Sequence, residues 1–302
     1  MSSVLYDTPG PKARRRNLLY TVLFAVVFCG ALAWVLSVMS DKGELDAAKW
    51  TPFVEDGNVW TTFLLPGLGE TLKAAALSIV IALPLGALLG IGRLSEHRWV
   101  RIPVGAVVEF FRAIPVLMLM MFSFQLYVEY TGLSSEIRPL YAVVTGLVLY
   151  NATVIAEIVR AGIHSLPYGQ TDAAKALGLR KGQYMTSILL PQAVTAMLPA
   201  LVSQLVVILK DTALGGALLG VEDLLSAYRT IPANYGANTI ATLVVIALLY
   251  ILVNFALTSA AAWLERRLRR SKKSTGAVVG GESVEMAAGA PSATGEYLGP
   301  GA

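Results

Sequence analysis

Residues 171–191 read TDAAKALGLRKGQYMTSILLP, a polar, alanine-rich segment between two long apolar runs. Pro167 suits the first turn of a helix, and Gly178 suits the turn that ends it. Gly182 opens a second helical stretch, and Pro191 marks the start of the next apolar run. The segment therefore predicts a helix, a turn and a second helix that enters the membrane.

The composition is that of an integral membrane protein. Hydrophobic residues make up 55% of the 302 residues and charged residues 15%, and the mean hydropathy is +0.63. A soluble domain has a larger charged fraction. The single cysteine, Cys29, excludes a disulfide framework within the chain.

Uncharged runs mark the membrane-crossing helices, because a spanning helix needs about 20 mostly apolar residues. Six such runs predict an all-α fold with six transmembrane helices. They cover residues 17–40, 74–92, 113–128, 139–156, 182–209 and 230–264. The third run is long enough only if it extends back past Arg112 and Glu109. The first run begins like a signal peptide but exceeds an apolar signal region in length, which favours an uncleaved helix.

The positive charges predict the orientation. With a cytoplasmic N-terminus, 17 of the 24 Lys and Arg residues fall in inner segments and five in outer segments. Cytoplasmic loops of membrane proteins collect Lys and Arg. A multi-pass protein of the cell membrane is therefore expected, with both termini and the 171–191 segment in the cytoplasm.

The 171–191 segment has two interpretations. By composition it is an interfacial helix that anchors a loop to lipid headgroups. Its spacing favours the second interpretation: Asp172-Ala173-Ala174, three residues, Gly178, nine residues, then Ile188-Leu189-Leu190-Pro191. This pattern resembles E-A-A-x3-G-x9-I-x-L-P, the signature loop of permeases of ATP-binding-cassette importers.

Four further motifs resemble the polar amino-acid branch of that family. They are GETL at 69–72, EFFRAIP at 109–115, AEIVRAGI at 156–163 and LKDTAL at 209–214. The resemblance covers residues 66–265 and is greatest to permeases of glutamate uptake systems. The chain departs from the family pattern at Asp172, where Glu is usual, at Ala213, where many members have Ser, and in its additional first helix.

The resemblance implies a type I importer permease with a core of five helices plus one extra N-terminal helix. It divides the chain into a basic cytoplasmic N-terminus (1–16), the extra transmembrane helix (17–40), an external loop with at most one short interfacial helix (41–66), a permease domain (67–265) with a cytoplasmic coupling loop (164–191), and a basic, then disordered cytoplasmic tail (266–302). In such importers the coupling loop sits in a groove on a separate ATPase subunit.

The partners implied by the resemblance are two ATPase subunits, a second permease (a sister chain or a second copy), an extracytoplasmic solute-binding protein and membrane lipid. The implied substrate is glutamate or a related acidic or polar amino acid, with no nucleic acid and no cofactor. The chain has no G-x-x-x-x-G-K-[ST] phosphate loop and no Gly-Lys pair, so it is not expected to hydrolyse ATP by that route. The residues expected to contact the ATPase are Asp172, Ala173, Ala174, Gly178, Arg180 and Lys181.

Ionisable residues at membrane depth are costly, at about 2.5 to 3.5 kcal/mol each, and therefore pair or line a cavity. Glu109 and Arg112 are three residues apart, as are Glu157 and Arg160, so each pair is expected on one helix face. A role in the substrate pathway is the alternative. Asn151 and Gln204 are weaker candidates for substrate contact, and a hydrogen bond between helices is the alternative role.

Lys210 and Asp211 are adjacent and point in different directions on a helix. If the helix breaks near Thr212, these charges and the exposed backbone can hold an amino-acid zwitterion. Otherwise they mark the outer boundary of the span. The candidate residues of the substrate pathway are Arg112, Glu157, Lys210, Asp211 and Thr212.

Two further function classes stay open. An ion-coupled secondary transporter would need no ATPase. A membrane enzyme or assembly factor is disfavoured, because the sequence shows no clustered catalytic residues. His97 and His164 lack a nearby ligand set, so no metal site is expected.

Overall fold

The computed structural model describes residues 10–273, and within that range every regular element is a helix. The α-helices are α1 (Pro11–Asp41), α2 (Ala47–Trp50), α3 (Pro52–Glu55), α4 (Leu65–Arg93), α5 (Arg98–Ala113), α6 (Val116–Tyr130), α7 (Arg138–His164), α8 (Tyr168–Ala176), α9 (Lys181–Tyr184), α10 (Leu190–Asp211), α11 (Ala213–Leu218), α12 (Ala227–Tyr235) and α13 (Thr239–Lys273). The predicted all-α fold is confirmed. Residues 1–9 and the predicted disordered tail beyond Lys273 lie outside the described residues.

Five helical stretches are long and apolar enough to cross a membrane, and one bent pair supplies a sixth. The five are Pro11–Asp41, Val59–Arg93, Arg138–His164, Lys181–Leu218 and Thr239–Trp263. The second and fourth each include a π-helical turn, at Val59–Leu64 and Met185–Leu189. Counting the bent pair, the structure agrees with six spans.

The bent pair corrects the prediction of one straight helix through residues 113–128. α5 and α6 meet at an angle of 98°. Ile114, between them, has an extended backbone with φ −93° and ψ 130°. The proline that follows it, Pro115, favours that conformation and cannot donate the main-chain bond that would continue α5. Pro115 was therefore the sequence signal for the bend.

Small residues set the packing of α4 against α7. A Cβ atom on Gly86 would lie 2.6 Å from the Cβ of Ile155, and one on Gly90 would lie 2.8 Å from the Cβ of Val159. Glycine at these positions lets the two backbones approach closely. α7 also receives a hydrogen bond from α10, because the Gln204 amide donates to the Asn151 side-chain oxygen at 2.5 Å. The alternative role of these two residues, a hydrogen bond between helices, is confirmed.

The bundle has two ends, named here by what they carry. The loop end carries α8, α9 and the connection 94–97 between α4 and α5. The cap end carries α2, α3, α12 and the N-terminus of α4. Residues 41–66 at the cap end are more ordered than predicted, since an apolar cluster that includes Phe53, Leu64 and Leu224 packs them on α12 and α13. α1 buries none of its residues.

Candidate coupling and transport sites

The coupling loop folds as predicted into a helix, a turn and a second helix. α8 ends in a turn in which the Leu179 amide donates to the Ala174 carbonyl at 3.1 Å and the Gly178 amide donates to the Lys175 carbonyl at 2.9 Å. This pair of bonds is the Schellman motif, which requires a left-handed residue. Gly178 supplies it with φ +75°. Glycine is favoured there because it has no Cβ.

The two faces of α8 differ. Ala174 is 2% exposed and packs into the main apolar core with Tyr184 and Leu189. Asp172, Ala173 and Gly178 are exposed. The residues expected to contact the ATPase therefore do not share one face: Ala174 packs against its own chain, whereas these three are exposed.

Two apolar side chains at the ends of α8 were not anticipated from the sequence. Tyr168 is 76% exposed and Leu177 is 80% exposed. Exposed apolar side chains occur along the whole bundle, so this exposure alone does not identify a partner surface. The two positions flank the exposed residues of the expected contact set, Asp172 and Ala173. The sequence could not show this arrangement, because it does not reveal that Ala174 faces the core.

The two basic residues after the turn take different positions. The Lys181 ammonium donates to the main-chain oxygen of Leu94 at 2.6 Å and lies 3.8 Å from a carboxylate oxygen of Glu96. Arg180 is exposed, and its amide donates to the side-chain oxygen of Gln183 at 2.8 Å. The structure therefore turns Lys181 toward its own chain and leaves Arg180 at the surface.

Glu157 is the centre of an ion cluster at the loop end. One of its oxygens pairs with Arg160, whose Nε donates at 2.9 Å, and the other accepts from Arg93 at 2.8 Å. Arg112 approaches the second oxygen at 3.7 Å, and Arg93 also reaches Glu109 at 3.2 Å. The predicted Glu157–Arg160 pair is confirmed. The predicted Glu109–Arg112 pair is wrong, because α5 lies across α4 and α7, where Glu109 meets Arg93 and Arg112 meets Glu157.

A cavity of about 550 Å³ lies beside this cluster. Its charged lining consists of Arg93, Arg101, Arg160 and Glu109, and His164 adds a titratable ring. The three guanidinium groups outnumber the two carboxylates beside them, Glu109 in the lining and Glu157 on Arg93 and Arg160, so the net charge is positive. Such a cavity attracts anions.

The helical geometry continues through Thr212. α10 ends at Asp211 and α11 begins at Ala213, but Thr212 keeps α-helical dihedral angles (φ −58°, ψ −32°) and Lys181–Leu218 forms one apolar stretch, so the hypothesised break with exposed backbone groups is not present there. Thr212 is 1% exposed, and its hydroxyl donates to the Leu209 carbonyl at 2.7 Å. Lys210 is exposed and Asp211 partly so. These residues lie toward the cap end, so the structure does not bring them together with the Glu157 cluster.

Asp223 is a buried carboxylate that sequence reasoning missed. It is 1% exposed, and one oxygen accepts the Ser226 amide at 2.9 Å. Its other oxygen has no hydrogen-bond partner within residues 10–273. Gly216 lies against Asp223, and a Cβ there would fall 1.6 Å from the carboxylate oxygen that accepts the Ser226 amide. Burial raises the pKa of Asp223 to about 6.

Within the part of the chain that the structure describes, no group of three or more His, Cys, Asp or Glu residues is placed to hold a metal ion. The candidate polar sites are the coupling loop, the Glu157 cluster and the residues around the junction of α10 and α11. The first two lie at the loop end, and the third lies toward the cap end.

Comparison with known proteins matches residues 82–270 to the family described as binding-protein-dependent transport system inner membrane component. The glutamate transport system permease protein GluD of Corynebacterium glutamicum is 49% identical over 235 residues, which cover 78% of this chain and 85% of that protein. The arginine transport system permease protein ArtQ of Bacillus subtilis is 33% identical over 216 residues, 68% of this chain and 93% of that protein.

The fold is similar to a solved structure described as an amino acid ABC transporter with histidines. The TM-score is 0.62 at 25% identity, and the match covers 69% of this chain and 95% of that one. A bacterial alginate ABC transporter shares the fold at a TM-score of 0.55 and 19% identity, with 84% of this chain and 96% of that chain covered.

Proposed function

Since the chain belongs to the family of binding-protein-dependent transport system inner membrane components, we propose that it imports glutamate as the permease subunit of an ATP-driven transporter. It is a multi-pass membrane permease of amino-acid transport and is not itself an enzyme, because hydrolysis belongs to separate ATPase subunits in this family. The 49% identity to a glutamate permease over most of both chains carries the choice of substrate.

The loop end is assigned to the cytoplasm and the cap end to the outside. The positive-inside bias of 17 against five Lys and Arg residues supports this orientation. It places both termini in the cytoplasm and residues 41–66 outside, facing a solute-binding protein. We propose the same division of the chain as the resemblance implies: the extra helix (17–40), the permease domain (67–265) and the tail (266–302).

The coupling loop is assigned to the ATPase. The exposed face of α8, with Asp172 and Ala173 flanked by Tyr168 and Leu177, is the surface that enters the ATPase groove. Gly178 holds the turn behind it, and Arg180 is an exposed charge at its edge. Ala174 acts indirectly, since it fixes α8 on the permease core. Two ATPases acting on two such loops, one from a second permease, would move the pair.

The substrate pathway is assigned from the charges at its two ends. Lys210 and Asp211 at the end of α10 offer opposite charges to the zwitterion of an amino acid arriving from the cap end. The positive cavity beside Arg112 and Glu157 would attract the two carboxylates of glutamate at the loop end. Thr212 lies beside them at the junction of α10 and α11.

Uptake by the complete complex tests this function. The chain is co-expressed with its ATPase and binding protein, placed in proteoliposomes and supplied with labelled glutamate. ATP-dependent uptake that survives a protonophore is expected. Uptake that needs an ion gradient and continues without the ATPase would instead identify a secondary transporter. Unlabelled arginine, aspartate and glutamine as competitors define the substrate range.

Crosslinking tests the coupling surface with two adjacent residues. Ala173→Cys and Ala174→Cys are each made in a Cys29→Ser background. The exposed Ala173→Cys is expected to crosslink to the ATPase subunit, whereas the buried Ala174→Cys is not. Equal crosslinking from both positions, or from neither, would contradict the assigned face of α8.

A further inference from the structure

Lys181 joins two segments that are 87 residues apart in the sequence. Leu94, whose carbonyl it binds, follows the last residue of α4. The last carbonyls of a helix have no partner within the helix, and they carry the negative end of its dipole. A lysine ammonium supplies both the missing hydrogen-bond donor and a positive charge at this end. The coupling loop therefore caps α4 through one side chain.

Open space lies on both sides of this contact. One cavity, of about 460 Å³, is mostly apolar, and the other, of about 410 Å³, lies under α8 and carries charged side chains. Leu94, Glu96 and Lys181 line both cavities, so their contact forms the wall between them. Lys181 thus spans a gap between the coupling loop and the 94–97 connection.

The contact continues directly into the Glu157 cluster. Arg93 precedes Leu94 in the chain and binds Glu157 of α7 at 2.8 Å and Glu109 of α5 at 3.2 Å. Any displacement of the Leu94 carbonyl is carried to Arg93 through one peptide unit. A movement that starts at Lys181 would therefore reach three helices, α4, α5 and α7.

We propose that Lys181 is a strut through which the coupling loop moves the 94–97 connection and the Glu157 cluster during transport. The proposal rests on the proposed function, because it takes the ATPase as the source of the movement. Lys181 acts as a positioning residue and contacts neither the ATPase nor the amino acid. Its main acceptor is a carbonyl at 2.6 Å, and Glu96 is more distant at 3.8 Å, so the N–H donor matters more than the ion pair.

The transport test compares uptake with hydrolysis in the reconstituted complex. Lys181→Met keeps the side-chain stem and removes the donor. It is expected to lower glutamate uptake per ATP hydrolysed about tenfold, a typical coupling effect, while the ATPase still co-purifies. Lys181→Arg keeps a donor and is expected to restore most of the ratio. Lys12→Met, at an exposed lysine of α1 outside the coupling loop, is the control and is expected to leave the ratio unchanged.

Either of two results would overturn the strut: an unchanged ratio in Lys181→Met, or loss of the ATPase subunit together with uptake. The second would place Lys181 at the ATPase surface. A wild-type complex without ATP-dependent uptake would instead contradict the proposed function. The two failures are therefore distinguishable.

A distance measurement tests rigidity without relying on activity. Spin labels are attached at Ser95→Cys and Gly182→Cys in a Cys29→Ser background, where a Cβ on Gly182 meets no atom within 4 Å. With Lys181 present, the distance is expected to stay constant when ATP and orthovanadate trap the ATPase. In Lys181→Met it is expected to change. A wild-type distance that changes as much as in the variant would contradict the proposal.

Discussion

The two ends of the bundle differ in how far charged contacts hold them together. At the loop end, ion pairs around Glu157 and the Lys181 contact join the helices, in addition to the packing of Ala174, Tyr184 and Leu189 in the main apolar core. At the cap end, Phe53, Leu64 and Leu224 belong to one apolar cluster. Interdigitated apolar side chains resist displacement, whereas charged contacts at a wet surface exchange at little cost. We infer that the loop end moves during transport and that the cap end stays together.

Gly178→Val is expected to cause the largest loss of transport. Valine strongly disfavours the left-handed backbone that Gly178 adopts at φ +75°. A Cβ there meets no atom within 4 Å, so the effect comes from the backbone and not from a clash. Membrane insertion is expected to be normal, with uptake and transport-linked ATP hydrolysis abolished. Both are measured in proteoliposomes.

Gly182→Ala is the matched control, because Gly182 lies in the same loop without a left-handed backbone and with open space around its Cβ. It is expected to retain uptake. If Gly178→Val also retained full uptake, the shape of the α8 turn would be irrelevant to transport, and the proposed movement of the loop end would lose its starting point.

Glu157→Gln is expected to have the next largest effect. The substitution leaves Arg93 and Arg160 without the carboxylate that holds them together. Removing one partner of a buried pair costs about 3 to 5 kcal/mol, and less is expected here because Glu157 is 26% exposed. Uptake should fall about tenfold, in the range of coupling effects, and thermal unfolding in detergent should begin earlier.

Glu109→Gln provides the comparison for Glu157→Gln within the same cluster. Glu109 is 71% exposed and contacts only one of the arginines, Arg93, at 3.2 Å. Exposed ion pairs contribute little to stability, so near-normal uptake is expected. Equal losses from both variants would mean that total charge matters and that the central position of Glu157 does not.

The sequence was sufficient where a feature depends on local properties. Long apolar runs locate the spans, and Gly178 marks the end of α8, because both signals lie within a few residues of the structure they predict. The Glu157–Arg160 pair follows from helical spacing for the same reason. In each case the partner is on the same helix or in the same turn.

Features that depend on contacts between distant segments could not be predicted. The partners of Glu109 and Arg112 follow from the bend at Pro115, which turns α5 across α4 and α7. The inward face of Ala174 depends on how α8 packs on the core. Lys181 meets a carbonyl 87 residues away, and a backbone oxygen has no sequence signature.

Asp223→Asn tests whether a buried carboxylate at the cap end makes the stability of the fold depend on pH. The folded chain holds the Asp223 proton more tightly than the ordinary pKa of 3.8 allows, since its pKa is raised to about 6. Wild-type stability should therefore fall as the pH rises from about 4 to about 6 and level off above, by about 3 kcal/mol in total. The asparagine keeps an acceptor for the Ser226 amide and should remove this slope.

Thermal unfolding between pH 4 and pH 7 measures the slope. Tyr250, whose hydroxyl lies beside Asp223, is a tyrosine and keeps its proton in that range. Glu222→Gln is the control: it removes the exposed carboxylate next to Asp223 and is expected to leave the dependence of stability on pH unchanged. An unchanged slope in Asp223→Asn would show that another group titrates. Uptake at pH 7 should be close to normal, as expected for an end that does not move.

Tyr235→Phe is expected to have the smallest effect. The variant removes the hydrogen bond that the Tyr235 hydroxyl donates to Asp56 at 2.8 Å, while the Asn58 amide still binds the other oxygen of Asp56 at 2.8 Å. The pKa of Asp56 lies below its ordinary value, first through the Asn58 amide and then through this hydroxyl, so it should rise only partly.

The phenylalanine ring can keep the edge-to-face contact with Phe63, whose ring centre lies 6.4 Å away, so the cap should stay packed. Uptake is expected to remain within about twofold of wild type, the usual range for a surface substitution. Uptake and thermal unfolding are measured side by side with Glu157→Gln. If Tyr235→Phe lowered uptake as much as Glu157→Gln, the cap end would also have to change its contacts during transport. The contrast between a moving end and a fixed end would then be wrong, because a single hydroxyl at the cap would matter as much as the centre of the ion cluster.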